Sequence, residues 1–164
     1  MIIRSLALAG GLAGAAATSQ FPEFSQQYIQ RLGGAVDALG QVVTDFDTSA
    51  TAVGLTREEA LAQMTGTEFL DRRRSDMTAA IARHARLQDA LTALQDTGPF
   101  MRAYNITHLT DRKISQAAWE AFEPAVPLNL AGAIFAVTGF VLGGGLLRLL
   151  LGLLAWPFRR AKPA

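Results

Sequence analysis

Leu128 to Leu147 reads LNLAGAIFAVTGFVLGGGLL, 20 consecutive residues without a charge. At about 1.5 Å of rise per residue, a helix of that length covers about 30 Å, the hydrocarbon thickness of a bilayer. A buried core helix is the alternative; a membrane span is the reading carried forward. The apolar character continues through Arg148 to Phe158 and stops at Arg159, Arg160 and Lys162. One geometry is a tilted span with Arg148 snorkelling to the headgroups. The other ends the span near Arg148, so that 127–148 crosses and 149–164 forms an interfacial, basic cytoplasmic tail. In both, Trp156, Arg148, Arg159 and Arg160 serve as membrane-interface anchors.

The first 19 residues, MIIRSLALAGGLAGAAATS, are a weaker apolar run with one base. They fit a secretory signal peptide with an A-x-A cleavage site. They also fit a short transmembrane helix over 1–19, which is the expectation adopted here. Charge then sets orientation. All 14 acids lie between Gln20 and Val126, with ten of the 15 bases; the flanks carry Arg4, Arg148, Arg159, Arg160 and Lys162 and no acid. Basic flanks stay on the cytoplasmic side. Both termini are therefore expected in the cytoplasm of a bacterial inner membrane. The segment 20–126 is expected on the periplasmic side. An acidic middle also argues against nucleic acid as a partner, which would need a basic stripe in the folded part.

Small residues pair at four-residue spacing in both runs: Gly10 with Gly14 in the first, Gly132 with Ala136 and Gly139 with Gly143 in the second. Lipid tails are as apolar as leucine, so membrane helices associate by close backbone approach, which small residues allow. Gly10, Gly14, Gly132, Gly139 and Gly143 are thus expected to be helix-packing positions, against each other, a symmetry mate or a partner.

The middle reads as helices. Phe21 to Val53 carries an apolar stripe through Phe24, Tyr28, Leu32, Ala35, Leu39, Val42 and Phe46, which is a heptad seam. Gly33-Gly34 interrupts it, with close approach of a neighbouring helix as the compensation. Thr56-Arg57-Glu58-Glu59 is a capping box. Thr67 to Gln95 carries a second stripe through Leu70, Met77, Ala80, His84, Leu87, Leu91 and Leu94, stopped by Gly98-Pro99. Two long stripes joined by a short helix predict an antiparallel, coiled-coil-like hairpin. Thr110-Asp111 can cap one more helix over Arg112–Phe122. Pro124 and Pro127 then break the chain, Pro127 at the first turn of the final span. The fold class is all-α.

The chemistry-bearing residues are sparse. The chain has no cysteine and two histidines. His84 falls on the apolar seam, and His108 near Asp111. Neither has a second ligand at metal spacing. No catalytic or phosphate-binding motif occurs, so no catalytic, metal or cofactor residue is assigned. Arg72-Arg73-Arg74 sits among Glu68, Asp71 and Asp76. It reads as a solvated, salt-bridged face or as a docking patch for an acidic partner or headgroup. Trp119 and Phe122 are further docking candidates.

Phe21–Gly34 (FPEFSQQYIQRLGG), Ala82–Leu87 (ARHARL) and Trp119–Leu128 (WEAFEPAVPL) resemble an uncharacterised family of proteobacterial inner-membrane proteins, classed as a domain of unknown function. The resemblance implies two membrane segments around a helical extramembrane domain and brings no activity or cofactor. The expected role is non-catalytic: an accessory or scaffold subunit of a larger membrane protein complex, or a self-associating protein, with lipids as surroundings. The alternative is a protein binding lipid or an amphipathic ligand near Trp119, Phe122 and Trp156. An enzyme is the third and weakest reading.

Overall fold

The final apolar run forms the helix its composition demands, starting at a side-chain cap. Asn129 Oδ1 accepts a hydrogen bond from the Gly132 N–H at 2.7 Å, and asparagine is among the preferred residues for that position. The computed structural model describes residues 2–122 and 129–159, and no strand occurs among them. In chain order the helices are α1 (Ile2–Ser19), α2 (Phe21–Ala52), α3 (Arg57–Gln63), α4 (Glu68–Leu94), α5 (Pro99–Tyr104), a 3-10 turn at Ile106–His108, α6 (Arg112–Glu120) and α7 (Leu130–Arg159). Pro127, expected in the first turn of the last helix, lies outside the described residues. α7 does not stop near Arg148. It continues through the stretch expected to be a separate tail.

The chain divides into two compact units. One joins its two ends, up to Gln26 and from Ala121; the other is Gln27–Glu120. The boundary differs from the expected 20–126, because the first turns of α2 pack with the terminal helices. Phe21 meets Phe135 at 5.3 Å between ring centroids, and Phe24 meets Phe122 edge-on at 6.0 Å. Pro22 sits in the first turn of α2, where its missing N–H costs no hydrogen bond.

In the first unit, one helix is long and apolar enough to cross a membrane among the described residues. It is the stretch Leu130–Leu154 of α7, only 11% buried. The core helix of a soluble protein would be mostly covered. Of the two spans expected, α7 alone meets the criterion; α1 is 18 residues long and shorter in its apolar stretch.

The second unit has its core along α2. Tyr28, Leu32, Val36, Val43 and Ala50 are buried there, with Leu87 and Leu94 of α4, Leu109, and Ile114 and Ala118 of α6. Past Leu32 the buried line runs one residue ahead of the expected heptad seam. Val36 replaces Ala35, Val43 replaces Val42, and Val53 is 70% exposed. Ile29, Val36, Val43 and Ala50 are buried at seven-residue steps, so the heptad period holds and the seam lies one position over. The α4 stripe holds its face, but Leu70, Met77, Ala80 and His84 are only half-buried.

The caps follow the sequence. Thr56 and Glu59 form the reciprocal capping box of α3. Thr67 Oγ1 caps α4 by accepting from Leu70 N–H. α5 begins at Pro99, directly at the Gly98-Pro99 stop. α6 ends at Glu120 rather than Phe122.

Candidate functional site

Two places in the molecule concentrate unusual side chains. The first is the contact between α1 and α7. Its register is antiparallel: Gly10 lies by Gly143, Gly14 by Gly139, and Thr18 by Phe135. A Cβ built at Gly14 would fall on the Gly139 backbone carbonyl, and one at Gly139 on the Gly14 carbonyl and the Thr18 hydroxyl. One at Gly143 would fall on the Gly10 carbonyl. Added carbon at Gly10 would lie 2.8 Å from Leu147 Cδ2, and at Gly11 2.8 Å from the Phe140 ring. The backbones touch because these residues lack side chains. The Thr18 hydroxyl lies 2.6 Å from the Phe135 carbonyl and 2.9 Å from the Gly14 carbonyl of its own helix. It donates to one at a time, and the first choice ties the two helices together.

Four of the five expected packing glycines, Gly10, Gly14, Gly139 and Gly143, therefore meet one another within the chain. They are not left open for a partner. Gly132 is buried in the first turn of α7, where its N–H is taken by Asn129. The sequence reading missed Gly11, Thr18, Phe140 and Gly144, whose added Cβ would lie 3.1 Å from the Ala7 carbonyl. The signal was present in the Gly10-Gly11 and Gly143-Gly144 doublets, which put glycine on two adjacent faces of each helix.

At the opposite end of this pair from Thr18, Arg4 and Arg148 line one open groove. Arg148 is exposed and α7 carries on beyond it. Of the other expected anchors, Trp156 and Arg159 lie in the closing turns of α7, where side chains are outside the described residues, and so does Arg160 altogether.

The second place is a polar joint in the other unit. Tyr28 is wholly buried, and its oxygen accepts from the Asp111 N–H at 3.2 Å while its O–H reaches the His108 carbonyl at 3.4 Å. Burial pushes the Tyr28 hydroxyl above its ordinary pKa, and the hydrogen bond to Asp111 partly offsets this. Asp111 Oδ1 accepts from the Lys113 and Ile114 N–H groups, capping α6, and from Arg83 at 3.1 Å. Arg83 Nε is buried without a partner. Oδ1 thus serves two structural purposes, capping α6 through two backbone amides and pairing with Arg83. These contacts fasten α2, α4 and the start of α6 to one another.

A second ion pair closes the α2–α3 turn. Arg57 grips Asp47 through both oxygens, at 2.8 and 2.6 Å. The partner lies ten residues on, across the turn between the two helices. Arg57 holds the Asp47 carboxyl below the usual range. The Glu59 carboxyl is lowered as well, by the Thr56 N–H and hydroxyl.

The expected docking residues are dispersed. Arg73, exposed, and Arg74, half-buried, face Asp76 and Asp71 of their own helix, at 3.9 and 3.2 Å; Arg72 is exposed beside them. Trp119 is 69% exposed in the second unit, and Phe122 packs against Phe24 in the first. His84 lies over Gly40, its Nε2 3.2 Å from where a Cβ would be. Gly33 and Gly34, expected at a close approach, have open space where a Cβ would go. Gly40 is the position that admits a neighbour. No group of three or more acidic or histidine side chains that could hold a metal occurs among the described residues.

The family described as protein of unknown function (DUF2937) matches residues 2–160, nearly the whole chain. No curated protein and no solved structure matches it.

Proposed function

This chain belongs to the DUF2937 family, and on that premise we propose that it is a non-catalytic integral membrane protein serving as an accessory or scaffold subunit of a larger membrane complex. In this reading α1 and α7 both cross a bacterial inner membrane, with both chain ends cytoplasmic. The helices of 20–126 stand on the periplasmic side, α2 and α4 as an antiparallel hairpin joined through α3.

The observation that carries the proposal is the α1–α7 contact. A helix packed backbone to backbone along a membrane span shares that span's environment. The antiparallel register brings Arg4 and Arg148 to one end, as the positive-inside rule requires of a two-span protein. Gly10, Gly14, Gly139 and Gly143 are taken up by this pairing. What remains outward on α7 is a broad face of Val137, Val141, Leu142, Leu146 and Leu149, suited to lipid or to the spans of another protein.

Gentle detergent extraction followed by native electrophoresis tests the role. The protein is expected to co-migrate with a larger assembly; recovery only as a free monomer refutes it. Reporter tags at the two ends test the topology, and a C-terminal tag accessible from the periplasm would sink the orientation.

A further inference from the structure

We propose that the groove at the Arg4–Arg148 end of the helix pair binds one phospholipid with an anionic headgroup. The open groove has a volume of about 480 Å³ and is lined by Ala7, Leu8, Phe140 and Gly145 as well as the two arginines. Its apolar wall suits an acyl chain, and its volume lies within the range of small-molecule sites.

The charge argument selects the headgroup. Neither Arg4 nor Arg148 is paired with a carboxylate among the described residues. Residues 1–22 and 124–164 contain no aspartate or glutamate at all. The counter-charge of these arginines must come from outside both terminal helices. Arg148 lies 18 residues beyond Leu130, about 27 Å along the axis, and apolar residues continue to Leu154. At that depth the exposed guanidinium reaches the headgroup layer, where an anion is the favoured neighbour. A phosphodiester satisfies a guanidinium through two parallel hydrogen bonds. Two arginines favour a headgroup whose phosphate is not already neutralised by its own amine. Phosphatidylglycerol fits; phosphatidylethanolamine does not.

The proposal rests on the membrane reading above, and the test separates the two. The full chain is placed in nanodiscs of phosphatidylethanolamine and phosphatidylglycerol in equal amounts, and the lipid retained after release is read by native mass spectrometry. One phosphatidylglycerol per chain is expected, enriched about fivefold for each arginine that contacts it. R4Q/R148Q is expected to lose it. R159Q/R160Q removes the same charge elsewhere and is expected to keep it. Gly145→Leu leaves both arginines in place. A Cβ there meets nothing within 4 Å, so the helix pair stands while the side chain fills the groove, and the lipid is expected to be lost. Equal retention of the two lipids overturns the proposal. So does equal loss in R159Q/R160Q, which would mean bulk charge attraction, or unchanged retention in Gly145→Leu. A chain that enters the disc but behaves so leaves the membrane reading intact; a chain that never enters it overturns both.

Discussion

A methyl group added at Gly14 has no room, because the Gly139 carbonyl occupies its place. Gly14→Leu is expected to push the two helices apart, with an overpacking cost of about 1–3 kcal/mol or outright separation. Disulfide crosslinking between cysteines placed at Thr18 and Phe135 would report it, efficient in the parent and lost in the variant. Gly34 is the opposite case. It is a helical glycine with open space around it, so Gly34→Ala is expected to stabilise the second unit by about 0.4–1 kcal/mol. Thermal unfolding followed by circular dichroism would show the rise, and a fall would mean that something approaches there after all. Tyr28→Phe removes the acceptor of the Asp111 N–H and is expected to cost about 1 kcal/mol by the same measurement. The glycine spacings in the terminal runs were legible because four-residue periodicity marks a face. The Gly33-Gly34 doublet was not, since the lack of a side chain signals close approach only when another backbone arrives. The Asp111–Arg83 pair spans 28 positions, and no local pattern announces a partner so distant.

Helix starts were written plainly in single residues. Thr56, Thr67 and Asp111 each satisfy amides that an opening turn leaves unpaired. Thr56→Ala is expected to destabilise α3 by about 1 kcal/mol, measurable as earlier loss of helical signal on heating. The heptad period of α2 was legible, but the burial line sits one position on past Leu32, because the neighbours Ala35-Val36 and Val42-Val43 offer two seams of the same period. The α2–α3 turn carries the pH dependence. Asp47 is held below its ordinary pKa by Arg57. Its contribution is therefore complete above the usual carboxylate range and is lost as pH falls through the lowered value. Unfolding midpoints taken from neutral to acid pH are expected to decline, and to decline less in Asp47→Asn. Equal slopes would show the pair to be inert.

At the scale of the whole chain, charge and apolarity divide it as its two units do. The acid-free ends join in one, and nearly all the acids belong to the other. That division was visible in the sequence, whereas the pairing of one end with the other was left among three alternatives. Spacing within a helix says which face is small and says nothing of what lies against it. The pairing has a consequence in time. Thr18 and Phe135 are 117 residues apart. At synthesis rates of about 5–20 residues per second, the ribosome needs roughly 6–23 s to deliver the second after the first. Through that interval the glycine surface of α1 has no companion from its own polypeptide. The newborn helix must be chaperoned, or must wait alone, until the last helix emerges to meet it.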